Sequence, residues 1–177
     1  MPKRYHPVLV TLHWIIAAMV VGSLLIGGTS LTDMPNSDPD KIAALRTHMA
    51  VGVAIFVLMV LRLVVRLRTS HPDEADIGVA LLNRLARPLH LTIYALVLAM
   101  GLSGLALSVQ SGLPPIVFGQ VGSLPQDFWA YPARHLHWGI GLALSILVAG
   151  HVTAAFYHQI ARDNNVMGRM SFGPRED

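Results

Sequence analysis

Apolar positions in this chain fall into four long runs, not into the short periodic clusters of a soluble domain. Asp, Glu, Lys and Arg are absent from Tyr5 to Thr32, from Thr47 to Leu61, from Pro88 to Gln126 and from His135 to Ala161. A helix crossing the roughly 30 Å hydrocarbon core of a bilayer needs about 20 residues, and each run holds one. The predicted spans are 8–29, 45–66, 88–109 and 135–157. The second is the least clean because Arg62 lies inside it, close enough to the end for its side chain to snorkel toward the headgroups. The first run opens on Lys3-Arg4, as a secretory signal does. His13-Trp14 suits an apolar signal core poorly, so the expectation is a retained first span. The fold class that follows is an all-α integral membrane protein, a four-transmembrane-helix bundle. No internal repeat divides the chain, and residues 1–177 read as one membrane domain.

The connections differ in character. Residues 30–44 carry the acidic, turn-rich run Asp33 to Asp40, which solvation explains. Residues 67–87 read as a tether. Residues 110–134 hold Pro114-Pro115-Ile-Val-Phe118 and Phe128-Trp129-Ala-Tyr131, more apolar than an exposed loop requires, and are expected to lie across one mouth of the bundle as a partly buried cap.

Composition narrows the classes. Of 177 residues, 53% are hydrophobic and 13% charged, which excludes a disordered chain. A net charge of +3 is too small to point to nucleic acid. The placement of charge says more. With both termini in the cytoplasm, ten basic residues fall on that side, and only Lys41, Arg46 and Arg134 on the other. That is the positive-inside pattern of a multi-pass protein. In a bacterium it places the chain in the cytoplasmic (inner) membrane, with the cap facing the periplasm. The absence of cysteine excludes thiolate metal sites, disulfides and iron-sulfur clusters held by cysteine alone.

Nine histidines remain as candidates for chemistry. An ionisable group inside a membrane is costly unless it faces a partner, a cavity or a cofactor. His137 and His151 are 14 residues apart on span four, about 21 Å of rise, and their directions differ by only about 40°. One helix thus offers two stacked ligands on one side. His48 matches His137 in depth, and His13 matches His151. A haem iron takes axial ligands from opposite faces, and a bundle supplies them from facing helices. The pattern therefore predicts a bundle enclosing two stacked b-type haems, His48 with His137 on the outer side and His13 with His151 on the inner. Two imidazoles per iron leave no open position for dioxygen, which favours electron transfer. Zinc, copper or nickel fit less well, because no carboxylate or cysteine completes a shell at either depth.

Gly52 and Gly141 each follow an outer ligand by one turn and are expected to make room for a macrocycle. Arg62, 14 residues after His48, is a candidate for a propionate or a substrate. His90 competes with His13 for the inner iron. His13 is preferred because span one otherwise has no role for a buried histidine.

These residues together resemble the bacterial cytochrome b561 family, related to the cytochrome b subunits of formate dehydrogenases and nickel-iron hydrogenases. The resemblance spans almost the whole chain. It rests on His13-Trp14, Arg46-Thr-His48-Met-Ala-Val-Gly52, Arg62-Leu-Val-Val-Arg66, Pro88-Leu-His90-Leu-Thr-Ile-Tyr94, and His137 with His151, Ala154-Ala-Phe-Tyr-His158 and Arg162-Asp-Asn164. It implies two haem b groups on the same four histidines. It also implies oxidation of superoxide at the periplasmic face, with ubiquinone of the membrane quinone pool as acceptor. Arg46, Arg134 and His135, with Lys41, would then attract the anion. His90, His158, Arg87 and Arg162 would serve the quinone or the inner haem. Two competing readings are a membrane anchor that wires a partner dehydrogenase or periplasmic cytochrome to the quinone pool, and a structural protein without cofactor.

Overall fold

The computed structural model describes the backbone of residues 4–72, 80–161 and 166–173. Its helices are α1 (Pro7–Gly28), α2 (Ser30–Asp33), α3 (Lys41–Arg68), α4 (Ala80–Gln110), α5 (Leu113–Gly119) and α6 (Pro132–Ile160). Two short 3-10 turns, Phe128–Ala130 and Met167–Met170, complete it. α1 and α6 both begin at a proline, where the missing N–H is one the first turn leaves unpaired anyway. Four stretches are long and apolar enough to cross a membrane: Pro7–Asp33, Lys41–Arg68, Ala86–Gln110 and Pro132–Ile160. The protein is a multi-pass, all-α membrane protein.

α3, α4 and α6 outrun the predicted spans because hydropathy reports the hydrocarbon layer, while the backbone keeps its hydrogen bonds into the headgroups. α4 runs through Pro88, which the sequence places at a span boundary. The expected 67–87 tether accordingly shrinks, since α3 continues to Arg68 and α4 begins at Ala80.

α1 packs on α3, α3 on α4, and α4 on α6. The core is narrow: Leu12, Ile16 and Val20 from α1, Ile55 and Met59 from α3, Val97 from α4 and Leu144 from α6. Large apolar side chains such as Leu25, Val53, Leu105 and Ile146 face outward, each more than half exposed. In water such a surface would aggregate; in lipid it is the expected exterior.

Hydrogen bonds define two ends. At one, here the cap end, the C-terminus of α1 meets the N-terminus of α3. The Lys41 ammonium is buried there and donates to the carbonyls of Leu31 and Met34 at 2.5 and 2.7 Å. α5 lies at this end with Leu113, Ile116 and Val117 buried. Gly112, at φ +63, makes the left-handed turn between α4 and α5. The Arg46 guanidinium pins α5 by donating through Nε and Nη2 to the Val117 carbonyl at 2.9 and 2.7 Å. The expected cap is therefore half realised: one face of α5 is buried, whereas Phe118 and Trp129 are 55% and 41% exposed. Asn36 ties the two loops of this end, donating to the Pro125 carbonyl at 2.8 Å. At the terminal end, residues 166–173 fold back on the start of α1. Trp14 Nε1 donates to the Met170 carbonyl at 2.9 Å and Tyr5 N to the Arg169 carbonyl at 3.1 Å.

Candidate functional site

The helices bring the histidines together in two groups. At the cap end the rings of His48 on α3 and His137 on α6 have centres 6.1 Å apart, with planes at 83°. At the terminal end His13 on α1 and His151 on α6 have ring centres 6.4 Å apart, also at 83°. Leu144 lies midway along α6, seven residues or about 10.5 Å of rise from each level. Two metal–nitrogen bonds of about 2.0–2.1 Å, with each ring centre roughly 1.1 Å behind its nitrogen, separate two coordinated imidazoles by about 6.3 Å. Both pairs have that spacing. Among the described residues no three His, Asp or Glu side chains form a metal site of their own. Donors that come in opposed pairs suit a metal whose other ligands arrive with it.

His90 on α4 also reaches the terminal-end group, with its ring centre 5.3 Å from that of His151. That is about 1 Å short of the separation across a metal, a distance suited to edge-to-face contact. The competition between His13 and His90 thus has a geometric content that spacing along the sequence does not supply.

Glycines back the cap-end rings. A Cβ on Gly27 would stand 3.2 Å from His48 Cε1, and one on Gly104 would stand 3.2 Å from His137 Cε1. Sequence reasoning looked first one turn along the ligand's own helix, to Gly52 and Gly141, and did not anticipate Gly27. A Cβ on Gly52 would meet nothing within 4 Å, so room exists there; one on Gly141 would meet Met100 Cε at 3.3 Å. Ser103, also unanticipated, is 3% exposed, and its Oγ lies 3.0 Å from His137 Nδ1 while donating to the Met100 carbonyl at 2.9 Å. With its proton given to Met100, Oγ accepts from Nδ1–H, leaving His137 Nε2 with a free lone pair. A polar residue within span three was the available signal.

Arg62 departs from its expected behaviour. It does not snorkel outward but is 5% exposed inside the bundle. Nε donates to the Tyr94 hydroxyl and Nη1 to the Leu9 carbonyl, both at 2.6 Å. Leu9 is one turn before His13 and Tyr94 one turn after His90. The guanidinium thus stands between the helix turns that carry His13 and His90.

The remaining candidates divide by end. The Arg134 guanidinium lies over the Trp129 ring, 4.6 Å from its centre. His135 Nε2 is 2.9 Å from the Trp129 carbonyl. Lys41 does not join an exposed cationic patch as expected, because its ammonium is held by two carbonyls. A cleft of about 320 Å³ opens beside Arg46, lined by Pro39, Ile42, Ile116 and Gln120 among others. At the terminal end His158 is buried, with Nδ1 unpartnered among the described residues. Arg87 is exposed, and Arg162 lies outside the described residues.

The sequence profile of the prokaryotic cytochrome b561 family matches residues 4–173. The chain belongs to that family. It is 27% identical to cytochrome b561 homolog 2 of Escherichia coli K12, across 96% of this chain and 92% of that protein. Cytochrome b561 homolog 1 of the same organism is 26% identical over 95% of this chain and 97% of its own length. A probable superoxide oxidase, CybB of Yersinia pestis, is 27% identical over 96% and 97%. Membership in the cytochrome b561 family implies haem-mediated electron transfer across the membrane, and both histidine levels have spacing that a cytochrome b561 could use.

Proposed function

We propose that this protein is a superoxide:ubiquinone oxidoreductase of the bacterial inner membrane, with its cap end in the periplasm and both termini in the cytoplasm. The observation that supports it most is the recurrence, at two depths, of two facing imidazoles spaced for one iron. His48 and His137 would hold one haem b, and His13 and His151 the other. Haem b, when bound, would supply the one-electron carriers. Ser103 holds His137 in the tautomer that presents Nε2, while Gly27 and Gly104 give the cap-end rings their places. Arg134 and His135 at the cap end draw in the superoxide anion, with the charges of Arg46 and buried Lys41 adding to the field.

Each superoxide gives up one electron and leaves as dioxygen. Two such electrons and two protons convert one ubiquinone to ubiquinol. At the terminal end His158 and His90 would serve as proton donors to the quinone, with Arg87 and Arg162 as further candidates for the quinone or the inner haem. The relative described as a probable superoxide oxidase lends support to the donor.

The test is a haem-to-protein ratio and visible spectrum of the detergent-purified chain, followed by superoxide addition with and without ubiquinone. Two low-spin b haems per chain, reduced by superoxide and reoxidised by ubiquinone, are expected. Two haems indifferent to superoxide would overturn the donor and leave a cytochrome that accepts electrons from a protein partner.

A further inference from the structure

We propose that Arg62 is a fixed buried charge that holds the reduction potential of the terminal-end haem above that of the cap-end haem, giving the electron a built-in direction from cap to terminus. The inference rests on the ligation reading above and goes beyond it.

Three observations carry it. First, the guanidinium is buried and anchored between the helix turns bearing His13 and His90. Second, both of its partners are neutral, a phenol and a backbone carbonyl. None of the four long helices contains an Asp or Glu, so no acid on those helices offsets the charge. An arginine stays protonated at any working pH. A positive charge in a low-dielectric interior favours the state with one more electron on a nearby iron.

Third, the cap end is built the other way. Lys41, Arg46 and Arg134 sit near the starts of α3 and α6 and share that end with Asp33, Asp38, Asp40 and Asp127, whereas Arg62 lies well inside its helix. There Ser103 Oγ lies 3.0 Å from His137 Nδ1 and gives its own proton to the Met100 carbonyl; accepting from Nδ1–H, it makes the ring a more basic ligand and favours the oxidised metal. The two ends therefore push their potentials apart, downhill for an electron that enters at the cap.

The experiment is a potentiometric titration of the haem-loaded protein in detergent, comparing wild type with Arg62→Gln, Arg62→Lys and Tyr94→Phe. Arg62→Gln is expected to lower the reduction equilibrium constant of the higher-potential haem by about tenfold or more, which for a one-electron couple is about 59 mV, and to move the other haem much less. Arg62→Lys and Tyr94→Phe disturb the hydrogen bonds but keep the charge, so both should stay within about threefold of wild type. Equal movement of both haems, movement of neither, or collapse of the gap in a charge-keeping variant would overturn the proposal. Should Arg62→Gln fail to retain both haems, the two charge-keeping variants decide it by the same criterion. A wild-type preparation with fewer than two haems would overturn the ligation reading instead.

Discussion

The two ends of the bundle present the same pair of facing imidazoles and support them by different means. At the cap end the support is local and steric. Gly27 and Gly104 abut the two rings, and Ser103 hydrogen-bonds one of them. At the terminal end the support is electrostatic and crowded: a third ring, His90, contacts His151, and a buried guanidinium bridges two helices. A duplicated ligand geometry thus need not imply duplicated properties, because the atoms behind the ligands differ.

The largest effects should come from the ligands. His48→Ala or His137→Ala is expected to leave one haem per chain, and His13→Ala or His151→Ala to leave the other, as read by haem-to-protein ratio and the reduced spectrum. Two full haems in His13→Ala would hand its place to His90. Next come the steric supports. A side chain at Gly104 or Gly27 enters space the ring occupies, so Gly104→Val should lower cap-end haem occupancy by about tenfold or more, a loss typical of disturbed ligand orientation. Gly52→Ala, which meets open space, should leave occupancy unchanged, and equal losses in the two would show that the glycines act only through helix packing.

Smaller effects test the entrance and the hydrogen bond. Arg134→Ala is expected to slow reduction by superoxide by roughly threefold to tenfold at low salt, with the difference shrinking as salt screens the field. A salt-independent loss would point to a contact with substrate instead of steering. Ser103→Ala should retain both haems but release the cap-end one faster, the loss of one neutral hydrogen bond being worth about 1 kcal/mol. The smallest is Asn36→Ala, expected to lower the thermal midpoint slightly by untying the two loops, without touching either haem.

How much of this was legible in the chain follows from what each signal measures. Charge-free runs report the bilayer, so four spans could be read directly, whereas their ends could not, since Arg68, Ala80 and Pro132 remain helical beyond the hydrocarbon. The histidine pairs were legible because a 14-residue separation on α6 fixes two depths on one face. Gly27 was not, because a glycine against a ring on another helix has no periodicity relative to that ring. Arg62 misled for a related reason. Its position near a span end suits snorkelling, and only the Tyr94 hydroxyl and Leu9 carbonyl across the bundle explain why it turns inward.

The belt around Leu144 has a consequence for the cell's voltage. Leu12, Ile16, Val20, Ile55, Met59, Val97 and Leu144 occupy the middle of the bundle, and none offers a proton a place to rest. Under the proposed function an electron crosses this layer while protons are taken up only at the ends, so charge moves uncompensated through part of the dielectric. Moving one elementary charge across the full membrane is worth about 2.3 kcal/mol per 100 mV. Each turnover would therefore load the bilayer as a capacitor, and its rate should depend on membrane potential, as a proton-leaky bundle's would not.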